Sequence, residues 1–201
     1  MKVAITGATG FLGRYLVSYL LDNLYDVLII TRGEERAKEY LPAGVNVYVT
    51  DYSFESLCEG LKEVETIIHL AAQTMQRDSD PFRVSQFFAV NITMTENLLL
   101  AAKQVGVQKV CQMSSNSVYS SENKIPFNEK DNPIPATIYG VSKVYAEKLG
   151  EYFSYKSEVK VISLRLARLF GYGERSSVVF TKYMSCWRYG EKVKPELSIF
   201  M

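Results

Sequence analysis

The sequence predicts an α/β fold, a doubly wound parallel sheet with helices on both faces. Three observations carry this. Short β-branched runs alternate along the chain with longer segments of helical period. The first such run leads directly into a glycine loop and then a helix. Val27 to Thr31 is apolar almost throughout, as expected of a strand buried on both faces.

Val3 to Thr6 reads as the first strand. Gly13 to Leu24 follows as a helix, with Leu16, Leu20 and Leu24 on one face. Val27 to Thr31 and Val45 to Thr50 are the next two strands. Ser53 caps a short helix carrying Leu57 and Leu61. Thr66 to Ala71 is the fourth strand. Pro81 to about Val105 is mostly helical and stops at Gly106. Lys109 to Met113 is the fifth strand. Ser120 to Ala136 is polar, holds three prolines and reads as a loop. Ile138 to about Tyr155 is a helix, and Val159 to Leu164 the sixth strand. Ser177 to Tyr189 reads as a last helix, with Phe180, Met184 and Trp187 on one face.

The 201 residues suffice for about one domain with a small appendage. A hydrophobic fraction of 47% excludes disorder and collagen-like repeats. The net charge of +1 leaves no electrostatic footprint for nucleic acid or an anionic membrane, so neither is an expected partner. The opening apolar run ends at Thr6-Gly7, too short for a signal-peptide core or a membrane span. Cys58, Cys111 and Cys186 lie far apart, and His69 cannot complete a zinc site with them. No metal is expected, and a reducing, cytoplasmic setting fits the cysteine usage.

The loop Gly7-Ala8-Thr9-Gly10-Phe11-Leu12-Gly13 carries the first chemical signal. Gly7 permits a tight turn, Gly10 lets the backbone approach a pyrophosphate, and Gly13 lets helix and strand pack closely. Thr9, Phe11 and Leu12 complete the candidate dinucleotide cradle. At the end of the second strand, where an acid binds the adenosine ribose of NAD, stand Thr31 and Arg32. Arg32 either pairs with a 2′-phosphate or stacks on adenine, which tilts the choice between NAD and NADP toward NADP. The alternative is a solvated Arg beside Glu34 and Glu35. Asp51 stands at the end of the third strand and is followed by Tyr52.

Tyr139 and Lys143 sit at i and i+4 near the start of a predicted helix, so phenol and ammonium share a face. A nearby cation favours phenolate, and a phenol so tuned exchanges a proton with a substrate hydroxyl or carbonyl. The fifth strand ends in Ser114-Ser115-Asn116-Ser117, at the edge that faces the ligand crevice. Ser114, Ser115 and Ser117 all offer a hydroxyl to the same substrate oxygen.

With these pieces in place the sequence resembles the extended short-chain dehydrogenase/reductases, the NAD-dependent epimerase/dehydratase family. The matching residues are Gly7-x-x-Gly10-x-x-Gly13, Asp51, His69-Leu70-Ala71-Ala72, Asn91 followed by Asn97-Leu98-Leu99-Leu100-Ala101-Ala102, Ser114-Ser115-x-x-Val118-Tyr119, Tyr139-x-x-x-Lys143, and Leu164-Arg165-x-x-Arg168-Leu169-Phe170-Gly171. The resemblance implies a Rossmann-type sheet and makes Ser115, Tyr139 and Lys143 the catalytic set. It has Lys143 hold the nicotinamide ribose and lower the Tyr139 pKa. It also implies that Asp51, with Tyr52 beside it, meets the adenine. Leu70, Ala71 and Ala72 then line the nicotinamide side. Gln73, Ser114, Ser115, Asn116 and Arg168 are the substrate candidates, and His69 is a packing or cofactor-contact residue.

Three departures refine the expectation. Asn116 and Ser117 stand where 4,6-dehydratases of the family carry Asp-Glu, which disfavours dehydration. Arg168 stands where the family usually has Asn. The family also runs to greater length, so residues 1–176 are expected to hold the cofactor domain and 177–201 the start of a small substrate part, largely missing. The expected activity is sugar-nucleotide epimerisation through a transient keto sugar. A carbonyl or keto-sugar reductase using NADPH is the alternative enzyme, and a non-catalytic NAD(P)-binding regulator the alternative class. An exposed apolar face on the last helix makes a homodimer an expectation.

Overall fold

Six strands build one parallel sheet in the order β3-β2-β1-β4-β5-β6. They are β1 (Lys2–Thr6), β2 (Asp26–Thr31), β3 (Asn46–Val49), β4 (Thr66–His69), β5 (Lys109–Ser115) and β6 (Lys160–Leu166). The structure is a computed structural model and describes residues 1–75, 80, 82–169 and 171. The chain divides after Ala167, and Met1–Ala167 is one compact unit. Of the second unit only Arg168, Leu169 and Gly171 are described. Phe170, the helix expected over Ser177 to Tyr189 and the substrate part expected from 177 lie outside the described residues, as does Pro81.

Helices cover both faces. On one, α1 (Phe11–Asp22) and α2 (Glu34–Tyr40) pack Val17, Leu20 and Ala37 against Val3, Ile5, Val27 and Ile29. On the other, α3 (Phe54–Gly60), α5 (Met94–Val105) and α6 (Ile138–Lys156) pack Leu57, Leu98, Leu99 and Phe153 against Ala4, Ile30, Ile67 and Val110. Leu98 and Leu99 are fully buried, each worth about 1.5–3 kcal/mol of transfer energy. The alternation of Val27 and Ile29 with Ile30 across β2 is why that strand reads as an unbroken apolar run.

Local chemistry sets the boundaries. Ser53 caps α3, its hydroxyl accepting the Ser56 N–H at 3.3 Å, and Gly106 at φ +82° ends α5. The helix α1 starts two residues earlier than the period suggests, because Gly10 is its cap and Gly13 lies inside it. The strand β5 runs two residues past Met113 and takes in Ser114 and Ser115. The strand β4 stops at His69, since beyond it the Leu70 and Ala71 N–H groups turn back to Thr6. The helical stretch before Gly106 is interrupted: α4 (Val84–Phe88) passes through a π-helical turn, Ala89–Thr93, into α5. The short α2 escapes the sequence reading because Ala37 is its one buried residue.

The strand order reverses between β1 and β4, which are direct neighbours. Loops leaving the C-terminal ends of these two strands diverge there and open a crevice, the usual ligand position in such sheets. Among the described residues no helix is long and apolar enough to cross a membrane.

Candidate active site

The glycine loop fills the crevice between β1 and β4. Gly7 adopts φ +69°, and a Cβ on it would stand 2.5 Å from the Ala71 amide nitrogen. A Cβ on Gly13 would stand 2.5 Å from the Gly7 carbonyl oxygen. These two glycines therefore seat the loop against the β4 exit and the helix against the loop. At Gly10 a Cβ would meet only the Gly7 oxygen, at 3.1 Å, so its outer side is open. Gly10 caps α1 without a side-chain acceptor, and the first-turn N–H groups of Phe11, Leu12 and Gly13 have no partner within the helix. Thr9 is half-buried at the rim. The open side of Gly10 and the N–H groups of the first helical turn suit an anion such as a pyrophosphate.

Along the rim, Arg32 is exposed just beyond β2, and among the described residues it makes no ion pair. Glu34, its sequence neighbour, pairs with Lys38 at 3.0 Å instead. Thr31 turns its hydroxyl to Gly33 O at 3.2 Å. Asp51 is exposed and accepts the Ser53 N–H at 2.8 Å, and bonding to Ser53 holds its carboxyl below the usual range. Tyr52 differs from expectation. Its phenol is buried and donates to Ile30 O at 3.0 Å, while its N–H and C=O are taken by Thr50 and Asn97. With every polar group engaged inside, Tyr52 is corrected from a cofactor contact to a core residue that ties β2 to α5.

Across the crevice, Ser115, Tyr139 and Lys143 come together. The Ser115 hydroxyl accepts the Ser117 N–H at 3.1 Å and lies 3.1 Å from the Ser117 hydroxyl. It is also a hydrogen-bond partner of the Tyr139 phenol. Strand alternation separates Ser114 from Ser115, while Ser117, in the turn after β5, keeps its hydroxyl beside that of Ser115. Ser114 points to the opposite face and donates to Glu147, so it is corrected from a substrate contact to an internal one. Asn116 is exposed beside Ser115. Close approach of the two segments depends on Gly140, where a Cβ would stand 2.1 Å from Ser117 O. The Lys143 ammonium donates to Met113 O at 2.8 Å and lies 5.8 Å from the centre of the Tyr139 ring.

The electrostatics correct one expectation. Burial raises the Tyr139 pKa, and the Ser115 hydrogen bond only partly offsets that. Lys143 does not bring the phenol below its ordinary range in the folded chain. Burial instead pulls Lys143 itself down to about 8, against the opposing charge of Glu147. His69 is buried and its pKa falls to about 3, from burial first and the Lys143 charge second, so the ring is neutral.

A buried hydrogen-bond chain ties the two sides of the crevice together. The Ala71 N–H donates to the Thr6 hydroxyl, which lies 2.7 Å from His69 Nδ1. His69 Nε2 lies 2.9 Å from the Thr95 hydroxyl, which donates to Asn91 O. The Asn91 amide donates to Gln73 O and to the Ser142 hydroxyl, and accepts the Gln73 N–H. Ser142 donates to Tyr139 O at 2.7 Å. Gln73 is thus held by its backbone beside Leu70, Ala71 and Ala72, all half-buried, and among the described residues its side chain bonds Thr74 O. Asn91 sits in the π-helical turn, and such turns recur at functional sites. Sequence reasoning names Asn91 through the resemblance but misses its brace with Thr95 and Ser142, because Ser142 lies 51 positions away in the chain. Arg168 belongs to the second unit and is exposed.

Residues 3–198 match the NAD dependent epimerase/dehydratase family. The UDP-glucose 4-epimerase of Lacticaseibacillus casei is 27% identical over 85% of this chain and 52% of its own length. The crystal structure of UDP-N-acetylglucosamine 4-epimerase from Bacillus cereus superposes with a TM-score of 0.80 at 32% identity, covering 92% of this chain and 65% of that one. The UDP-glucuronic acid 4-epimerase from Bacillus cereus, in complex with UDP-glucuronic acid and NAD, gives 0.81 at 26% identity, covering 95% and 64%. The chain thus spans between about half and two thirds of the length of these relatives.

Proposed function

The chain belongs to the NAD dependent epimerase/dehydratase family, and we propose that it acts as an NAD(P)-dependent sugar-nucleotide epimerase. The grouping of Ser115, Tyr139 and Lys143 beside the open glycine cradle carries this reading. The residues fit a dinucleotide: the space outside Gly10 is clear, and the α1 N-terminus offers free N–H donors. Gly7, Thr9, Gly10, Phe11, Leu12 and Gly13 would hold the pyrophosphate, Asp51 and Arg32 the adenosine end, and Lys143 the second ribose. The bound nicotinamide supplies the acceptor and donor of hydride.

The chain's own groups handle the proton. Burial keeps the Tyr139 phenol protonated in the free chain, so it must first give that proton to solvent on the open side of the crevice, and the Lys143 ammonium beside it would favour the resulting phenolate. As the phenolate, Tyr139 takes the hydroxyl proton of the sugar as that hydroxyl becomes a carbonyl, and returns it on reversal. Ser115, fixed by the Ser117 N–H, holds the same oxygen through both half-steps. Asn116 and Ser117 supply no acid–base pair for dehydration.

The test follows the C4 epimer of UDP-glucose or UDP-N-acetylglucosamine by proton NMR with NAD present. Conversion should fall at least about 100-fold in Tyr139→Phe, with fold and NAD affinity kept. Tight NAD binding without conversion of any UDP-sugar would overturn the reading in favour of a regulator. Arg32, exposed and with no ion pair among the described residues, favours one second reading, an NADPH-dependent reductase of a carbonyl or keto-sugar substrate.

A further inference from the structure

Glu147 is a heavily bonded buried carboxylate that no step assigned to Ser115, Tyr139 or Lys143 uses. It stands one turn after Lys143 on α6 and is 4% exposed. Its Oε1 accepts the Ser114 hydroxyl and Arg165 Nε at 3.0 Å, and its Oε2 accepts Arg165 Nη2 at 2.7 Å. The guanidinium, from β6, reaches further. Its Nη1 donates to the Tyr119 phenol oxygen and to Glu129 O at 3.1 Å, and its carbon lies 5.1 Å above the Tyr119 ring. Tyr119 in turn donates to Asn128 O at 2.8 Å and stacks on Phe127 at 4.8 Å.

Asn128 and Glu129 lie in the middle of the segment 120–136, which contains no helix or strand. The other hydrogen bonds there, Ser120 with Asn123, Asn123 with Asn132 and Asn128 with Asp131, stay inside the segment. The middle is fastened to the sheet and α6 through Arg165 and Tyr119. One end of the segment leads out of the Ser115 turn. The other enters α6 at Thr137, two residues before Tyr139.

We infer that Glu147 is a positioning residue: through Arg165 it clamps segment 120–136 to α6 and so fixes the spacing between Ser115 and Tyr139. The inference rests on the reading of those two residues as the reacting pair. A bidentate pair suits the task because the planar fork fixes direction as well as distance. Burial of such a pair adds little net stability by itself, so geometry is the stronger reason for its presence.

Three variants of the full chain test this. Arg165→Lys keeps a charge opposite Glu147 but lacks the fork that reaches Glu147, Tyr119 and Glu129 together. Tyr119→Phe leaves the ion pair intact and removes only the oxygen that meets the segment. Glu147→Gln removes the charge that aims Arg165. Trypsin cleavage after Lys124 and Lys130, both exposed in the segment, reads the clamp, and urea unfolding reads the fold. Each variant should be cut there at least about tenfold faster, because opening becomes easier. Arg165→Lys and Tyr119→Phe should unfold near the wild-type midpoint. In a chain that converts UDP-sugars, kcat should fall at least about tenfold in the same variants. Wild-type cleavage rates in Arg165→Lys and Tyr119→Phe would overturn the clamp. Faster cleavage with unchanged kcat would overturn its link to Ser115 and Tyr139. If the wild-type chain converts no UDP-sugar, the functional reading fails, and the cleavage rates still decide the clamp.

Discussion

Replacing Gly140 by Ala sets helix propensity against packing, and in this structure packing wins. Gly→Ala inside an exposed helix is worth up to about 1 kcal/mol in favour of Ala. Gly140 is the third residue of α6, and its N–H is held by the Thr137 hydroxyl at 3.0 Å. A methyl group there would stand 2.1 Å from Ser117 O and 2.9 Å from the Pro135 Cβ. The first of these is a backbone atom and cannot rotate away. Relief requires α6 and the Ser115 turn to part by roughly 1 Å, and overpacking of this kind costs about 1–3 kcal/mol. If the shift also breaks the Thr137 cap, about 1 kcal/mol more is lost. The net expectation is a loss of up to about 3 kcal/mol, seen as a lower urea midpoint at unchanged slope. A shift of this size at the reacting pair should also reduce turnover about 100-fold. A Gly140→Ala chain as stable as wild type or more so, with unchanged turnover, would refute the close approach of the Tyr139 and Ser115 segments.

His69 is the one histidine, so its proton uptake is directly visible. Its folded pKa of about 3 lies below the ordinary 6.5, so the unfolded chain takes up the proton first as pH falls. Its stabilising effect is complete above pH 6.5 and declines from there toward pH 3, at up to about 1.4 kcal/mol per pH unit. The imidazole NMR signals should stay flat from pH 8 to pH 5, and a midpoint near 6.5 would refute its burial as a neutral ring. Gly10→Val should keep the fold and lose NAD(P) binding, whereas Gly13→Val should lower the urea midpoint; unchanged cofactor affinity in Gly10→Val would remove the cradle from the site. Arg32→Ala should cost about 1.5–3 kcal/mol in NADP binding and far less in NAD binding, and equal losses by calorimetry would exclude a phosphate contact.

The β-branched runs, the glycine loop and the Tyr139–Lys143 spacing are legible in the sequence because each is local. A strand buried on both faces leaves an apolar run, and an i, i+4 pair needs only a helix. The choice of Ser115 over Ser114 is not legible from the residues alone. It depends on β5 continuing two residues past Met113, so that alternation sends Ser114 to Glu147, thirty-three positions away. The Asp51-Tyr52 pair makes the Tyr52 phenol look ligand-facing, but a backbone at φ +63° turns it into the core. The acidity of Tyr139 is hidden for a similar reason. Sequence shows the cation one turn away, but not the depth of burial that outweighs it.

The brace from Thr6 to Tyr139 also has a consequence for proton traffic. Thr95 gives its proton to the Asn91 carbonyl, so His69 Nε2 must be the protonated nitrogen and Nδ1 the acceptor for Thr6. The Asn91 amide and the Ser142 hydroxyl are likewise committed in one direction. Every hydrogen in the chain has a single orientation. One end is the Ala71 peptide N–H and the other the Tyr139 carbonyl, neither of which exchanges protons on the time scale of turnover. A relay needs members that can flip, and a ring with a pKa of about 3 refuses a second proton. The brace is therefore an insulator. A proton taken up by Tyr139 as phenolate therefore has no exit along this brace, which meets the residue at its backbone carbonyl and not at its ring oxygen.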